Sequence, residues 1–164
     1  MKKIDSYLIL DDGTIYKGYG FGKKANICAE IVVDTTMTAY AESLKKSDYI
    51  NKIVNFTYPL IGNCGVSKED FDNSEYYLTG VILREESEDE SNIRGGYTLD
   101  AALKHKNVVG ISGIDTRSIA NKMREKGLVK ACILDINSDK KEIEKMLTSI
   151  DMKKEILIKT LEIL

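Results

Sequence analysis

The sequence has no apolar run approaching the roughly 20 residues a helix needs to cross a bilayer. Its opening, Met1-Lys2-Lys3-Ile4-Asp5, lacks a signal peptide's long apolar stretch. The expected location is the cytoplasm, with no membrane partner. Nor is there a basic block: 24 Lys and Arg and 26 Asp and Glu are spread along the 164 residues, for a net charge of −2. No stripe of charge is available to track a phosphate backbone, which argues against nucleic acid as a partner. The three cysteines, Cys28, Cys64 and Cys132, are widely spaced and form no C-x-x-C pair, so neither a zinc site nor a disulfide framework is legible. Each is expected to serve as a small apolar residue. His105 is the only histidine, so a cysteine nucleophile has one candidate base. Within Lys104-His105-Lys106, at an expected helix end, it reads as an exposed cationic tip.

What is present fits one soluble domain over residues 1–164, since 43% apolar content fills a single core. Residues 7–10 and 14–16 flank Asp11-Asp12-Gly13, which predicts an opening β-hairpin. The Asp11-Asp12 pair faces water at that turn and is assigned no catalysis. Gly18, Gly20 and Gly22 alternate with Tyr19 and Phe21 but lack the spacing and strand-to-helix context of a nucleotide loop. Further strands are expected at residues 31–33, 52–58 and 77–83, all rich in β-branched or aromatic residues, so the first half is mostly β. The acidic run at residues 85–90 reads as a solvated loop.

The period then changes. Thr98 caps a helix over residues 99–105, and Asp115 caps another over 116–126 that stops at Gly127. Strands are expected at 108–111 and 128–134, and Ser138 or Asp139 opens a helix reaching about residue 147. This β/α alternation in the second half favours parallel pairing and an α/β class. The tail from 151 to 164 suits either a helix or a strand.

Four ordered motifs spread over residues 7–136 carry a resemblance. Ala29-Glu30-Ile31-Val32-Val33-Asp34-Thr35-Thr36-Met37-Thr38-Ala39-Tyr40-Ala41-Glu42 leads to Ile53-Val54-Asn55-Phe56-Thr57-Tyr58-Pro59-Leu60-Ile61-Gly62-Asn63-Cys64-Gly65, which contains the only proline. Gly80-Val81-Ile82-Leu83-Arg84 and Ser91-Asn92-Ile93-Arg94 follow. Gly110-Ile111-Ser112-Gly113-Ile114-Asp115-Thr116-Arg117 and Arg124-Glu125-Lys126-Gly127 close the set. Together they resemble the N-terminal domain of the small, glutamine-handling subunit of carbamoyl-phosphate synthetase. Ala29 and Ala39 stand where that family has glycines, and Ile93 where it has an aromatic residue.

The resemblance implies a swivelling β/β/α domain that is itself non-catalytic. It would dock the amidotransferase domain on the large synthetase subunit, for carbamoyl phosphate synthesis from glutamine, bicarbonate and ATP. The Cys, His and Glu catalytic set belongs to the amidotransferase domain, absent from these residues. ATP and magnesium belong to the large subunit, so no cofactor or metal is expected on this chain. The family's glutamine-binding serine lies in an Asp-Pro-Ser-Tyr segment. Here Lys46-Ser47-Asp48-Tyr49 sets Asp48 opposite that serine and Ser47 opposite the proline, and these two are the candidate glutamine contacts. Loops rich in hydroxyl, glycine and aromatic residues suit a contact surface, with Thr36, Met37, Thr38, Tyr40, Tyr58, Ile61, Gly62 and Asn63 as its candidates. The alternative is a stand-alone module binding an amino acid or anion near Ser47, Asp48 and Asn63.

Overall fold

The computed structural model describes residues 1–37, 40–61, 66–87 and 96–164. The chain opens with the expected hairpin. Strand β1 (Ser6–Leu10) pairs antiparallel with β2 (Ile15–Gly22). In the turn, Gly13 adopts φ +87°, a conformation that L side chains avoid. The three alternating glycines lie within or at the end of β2, as strand residues.

Next come β3 (Ile27–Asp34), α1 (Tyr40–Leu44), a one-turn 3₁₀ helix (Ser47–Tyr49), β4 (Lys52–Phe56) and β5 (Leu60–Ile61). Helix α2 (Lys68–Asp72), β6 (Gly80–Ile82), β7 (Glu85–Glu86) and α3 (Leu99–His105) follow. The chain continues with β8 (Val109–Ser112), α4 (Thr116–Lys126), β9 (Lys130–Asp135), α5 (Lys140–Ser149) and α6 (Lys154–Ile163). The caps act where the sequence places them: Thr98 accepts from Ala101 N–H at 3.1 Å, Asp115 from Ser118 N–H at 3.1 Å and Asp139 from Lys141 N–H at 3.4 Å. Gly127 ends α4 with φ +80°. The ambiguous tail is helical, with Ile156, Leu157, Leu161 and Leu164 packed on the apolar cluster beneath it.

Seven strands close into a barrel in the order β1-β2-β8-β6-β4-β3-β9, with β9 returning to β1. The α/β class holds, and the pairings β3–β4, β4–β6 and β6–β8 are parallel. The two strands that flank α4 depart from the expectation: β8 and β9 are not sheet neighbours, and β9 runs antiparallel to both β1 and β3. Inserting β9 between β1 and β3 satisfies both edges.

Strand alternation sorts the side chains into three apolar clusters. Leu8, Leu10, Ile31, Ile53, Ile82, Ile111 and Ile133 fill the barrel interior. Outside, Val54, Phe56, Val81 and Leu83 pack under α1 and α3. Tyr7, Ile9, Cys132 and Leu134 pack under α5 and α6.

Two expectations change. Cys28 and Cys132 face each other across β3 and β9, with Cα atoms 4.0 Å apart, and form a disulfide. They are 104 residues apart in sequence, and only barrel closure brings them together. In the acidic run, Glu85 and Glu86 are a short strand paired with β5 rather than loop, and the Glu86 side chain is 9% exposed, 3.6 Å from Lys2. Residues 88–90 lie outside the described residues.

Helix α4 lies across one mouth of the barrel. Ile119 inserts into the interior cluster. Near the N-terminus, Asn55 Nδ2 of β4 donates to the Thr116 carbonyl at 2.9 Å. Near the C-terminus, Lys122 and Lys126 reach Asp12 in the hairpin turn at 2.9 and 2.8 Å. The helix therefore spans the end of the barrel at which β1, β3, β4, β6 and β8 all terminate.

Candidate functional site

Ligands and partners of open α/β sheets gather at the carboxyl ends of parallel strands, where connecting loops converge and can vary without disturbing the core. Here that end is formed by the segment after β3, the segment after β4 and the exposed face of α4.

The residue that organises it is Asp34, the last of β3, which is 3% exposed. Its Oδ1 accepts from Thr36 N–H at 2.8 Å. Its Oδ2 accepts from Tyr49 Oη at 2.8 Å and from Lys46 Nζ at 3.3 Å. Burial pushes the Asp34 pKa up, but the bonds from Thr36, Tyr49 and Ser43 outweigh it and hold the carboxyl well below its ordinary 3.8. The same contact acts on its partners. Tyr49 is pushed up by burial and by its bond to Asp34. For Lys46, burial acts downward, but the Asp34 charge prevails and raises it.

Asp34 thus joins the two groups of residues singled out in the sequence. Ser47 and Asp48 sit exposed on the 3₁₀ turn, between Lys46 and Tyr49, the two residues that Asp34 anchors. Thr36 and Met37 follow from the other side. Met37 is 71% exposed and Tyr58, just beyond β4, is 37% exposed. Parallel register sets Asp34 beside Phe56, so Met37 and Tyr58 extend from the same end of neighbouring strands. Tyr40 and Ile61 are buried in the outer cluster, where they pack the loops instead of offering contact area. Thr38, Gly62 and Asn63 lie outside the described residues, as does Cys64.

Sequence reading passed over Asp34, although its position between an apolar strand and a Thr-Thr pair is the available signal for an end-of-strand cap. Helix α4 supplies the other side of this surface. The helix carries Arg117, Asn121 and Arg124 on one face, at positions i, i+4 and i+7. With Val33 and Thr35 from the end of β3 and Thr57 beyond β4, they line an open groove of about 550 Å³ over the barrel mouth. Below it, Asn55 Oδ1 and Thr116 Oγ1 are buried without a hydrogen-bond partner.

Cys28 carries no free thiol. His105 is exposed at the end of α3, packing edge-on against Phe71 with ring centroids 5.7 Å apart. Among the described residues no group of three or more His, Cys, Asp or Glu side chains is placed to hold a metal ion, and no helix is long and apolar enough to cross a membrane.

The described residues form a seven-stranded α/β barrel with helices packed on it, and comparison with known proteins gives its family. The pattern described as carbamoyl-phosphate synthase small chain, CPSase domain, matches residues 8–133. The carbamoyl phosphate synthase small chain of Fusobacterium nucleatum subsp. nucleatum is 44% identical over 136 residues, covering 83% of this chain and 38% of that protein. The small chain of Staphylococcus saprophyticus is 41% identical over 144 residues, covering 88% and 38%. The chain belongs to the carbamoyl-phosphate synthase small-chain family, and spans about two fifths of the length of these relatives. Among solved structures, an aminopeptidase from Aneurinibacillus sp. strain AM-1 is similar at 18% identity and a TM-score of 0.42, covering 81% of this chain and 30% of that one. That distance carries no functional argument.

Proposed function

We propose that this chain is the non-catalytic docking domain of a glutamine-dependent carbamoyl-phosphate synthetase, a ligase of arginine and pyrimidine biosynthesis. It holds the amidotransferase domain against the large synthetase subunit, in the cytoplasm. In that assembly glutamine supplies ammonia, and the large subunit, with ATP and magnesium, joins it to bicarbonate to give carbamoyl phosphate. The chain by itself turns nothing over. Its barrel corresponds to the swivelling β/β/α domain of the family, and Ser47 and Asp48 are the residues that would face glutamine once the amidotransferase domain is present.

The observation that supports this reading is the pairing of exposed Met37 and Tyr58 on loops rooted in a buried Asp34 network. A large apolar and an aromatic side chain held out at the ends of adjacent strands suit the centre of a protein contact. The test is reconstitution: glutamine-dependent carbamoyl phosphate formation by the large subunit, with a separately supplied amidotransferase domain, with and without this chain. Activity that requires the chain supports the docking role. The same rate without it, with the chain shown to be folded, refutes it.

A further inference from the structure

The groove over the barrel mouth has a chemistry that the exposed apolar pair does not explain. It carries two arginines, and no acidic side chain lines it, in a chain whose net charge is −2. Helix α4 divides its cations by type. Lys122 and Lys126 are spent on Asp12 in the hairpin turn. Arg117 and Arg124 are exposed, and among the described residues neither guanidinium has an ion-pair or hydrogen-bond partner. Guanidinium, with its planar fork of donors, is the side chain suited to gripping carboxylates across an interface.

We propose that this groove receives an extended acidic segment of the large synthetase subunit. The proposal rests on the docking reading above and locates its electrostatic half. Arg117 and Arg124 are seven residues apart, about 10.5 Å along a helix. Carboxylates three residues apart on an extended polyproline II segment, which turns once every three residues, lie on one side about 9 Å apart. One small oxyanion would not span that interval, whereas an acidic residue, two intervening residues and a second acidic residue match it. Between the arginines, Val33 and Met123 offer an apolar wall for an intervening side chain, while Thr35 and Asn121 offer hydrogen-bonding groups to its backbone. The groove is an open trough, the shape for a chain lying along it. It is also continuous with the exposed pair, since Thr35 runs into Thr36 and Met37, and Thr57 into Tyr58.

Binding of the whole chain to the purified large subunit tests this, with the unaltered sequence, Arg117→Glu/Arg124→Glu and Arg117→Lys/Arg124→Lys compared at low and at physiological salt. Both arginines are exposed, so the variants should melt as the unaltered chain does. Charge reversal is expected to weaken binding about 100-fold and to flatten its salt dependence, with the lysine variant losing less. Equal affinity and equal salt dependence for the reversal variant would overturn the groove while leaving the docking role standing. No binding by the unaltered chain would remove both. Arginine-dependent thermal stabilisation of the isolated chain by glutamate, citrate or phosphate would assign the groove to a small anion and overturn the acidic segment.

Discussion

The Tyr49 hydroxyl donates to Asp34 Oδ2 at 2.8 Å, tying the end of β3 to the turn that precedes the neighbouring parallel strand. A carboxylate 3% exposed is stable there only because every direction it faces supplies a donor. Asp34→Asn keeps the size and one acceptor oxygen but removes the charge that Lys46 and Tyr49 meet. The expected loss is about 1–3 kcal/mol in urea unfolding, with Tyr49→Phe costing about 1 kcal/mol. In a double-mutant cycle the two losses should add to clearly more than the double variant loses. Strict additivity would mean the bond contributes nothing.

Acid should expose the same network. Asp34 and Asp12 are both held well below their ordinary 3.8 when folded. For Asp12, burial acts upward, and bonds from Lys126, Thr14 and Lys122 overcome it. Between the lowered folded values and 3.8, the unfolded chain binds protons that the folded chain does not, so stability rises with pH across that window. The contribution is complete above about pH 4 and is lost as pH falls toward the folded values. Chemical denaturation from pH 6 downward should show a decline that becomes shallower in Asp12→Asn/Asp34→Asn. An unchanged slope in that variant would place the acid sensitivity elsewhere.

Much of this structure is local chemistry and so could be read from residues. The Asp-Gly hairpin and the caps at Thr98, Asp115 and Asp139 each depend on neighbours within a few positions. The insertion of β9 between β1 and β3 does not. An antiparallel strand after a helix carries the same apolar alternation as a parallel one, and only the two open edges decide its place. The candidate site divides in the same way. Loop composition marks Met37 and Tyr58, which are exposed, together with Tyr40 and Ile61, which the fold buries. Asp34 looked like an ordinary strand end, because its importance comes from Lys46 and Tyr49 arriving through the crossover. The groove arginines were legible as letters but not as a pair lining one groove, since that depends on where α4 lies against the ends of β3 and β4.

The Cys28–Cys132 disulfide joins residues 104 apart across β3 and β9, so it limits the unfolded chain far more than it changes the folded one. Its contribution should be large, up to about 4 to 5 kcal/mol on the loop-entropy estimate. Reduction by dithiothreitol is therefore expected to lower the melting temperature by many degrees. Cys132 is fully buried, and as a free thiol would still pack as a small apolar residue beneath α5, so the fold should persist. Alkylation followed by intact mass measurement checks the pairing: Cys28 and Cys132 should resist labelling under denaturing conditions until reductant is added. Immediate labelling of both would show that the bond does not form in solution.

The exposed pair makes the most direct functional prediction. Met37 is 71% exposed, so Met37→Ala should leave the melting temperature nearly unchanged, while Tyr58, 37% exposed, should cost about 1 kcal/mol as Tyr58→Ala and leave the chain folded. If they sit at the centre of the large-subunit contact, each should weaken that association by about 2 kcal/mol, close to 30-fold. Their effects should be insensitive to salt, because apolar burial is unscreened, in contrast to those of Arg117 and Arg124. Buried Ile61 supplies the control. Ile61→Ala should cost about 2–5 kcal/mol of stability and weaken binding only to the extent that it unfolds the chain. If Ile61→Ala remained folded and lost more affinity than Tyr58→Ala, the contact surface would have to be placed elsewhere on the barrel.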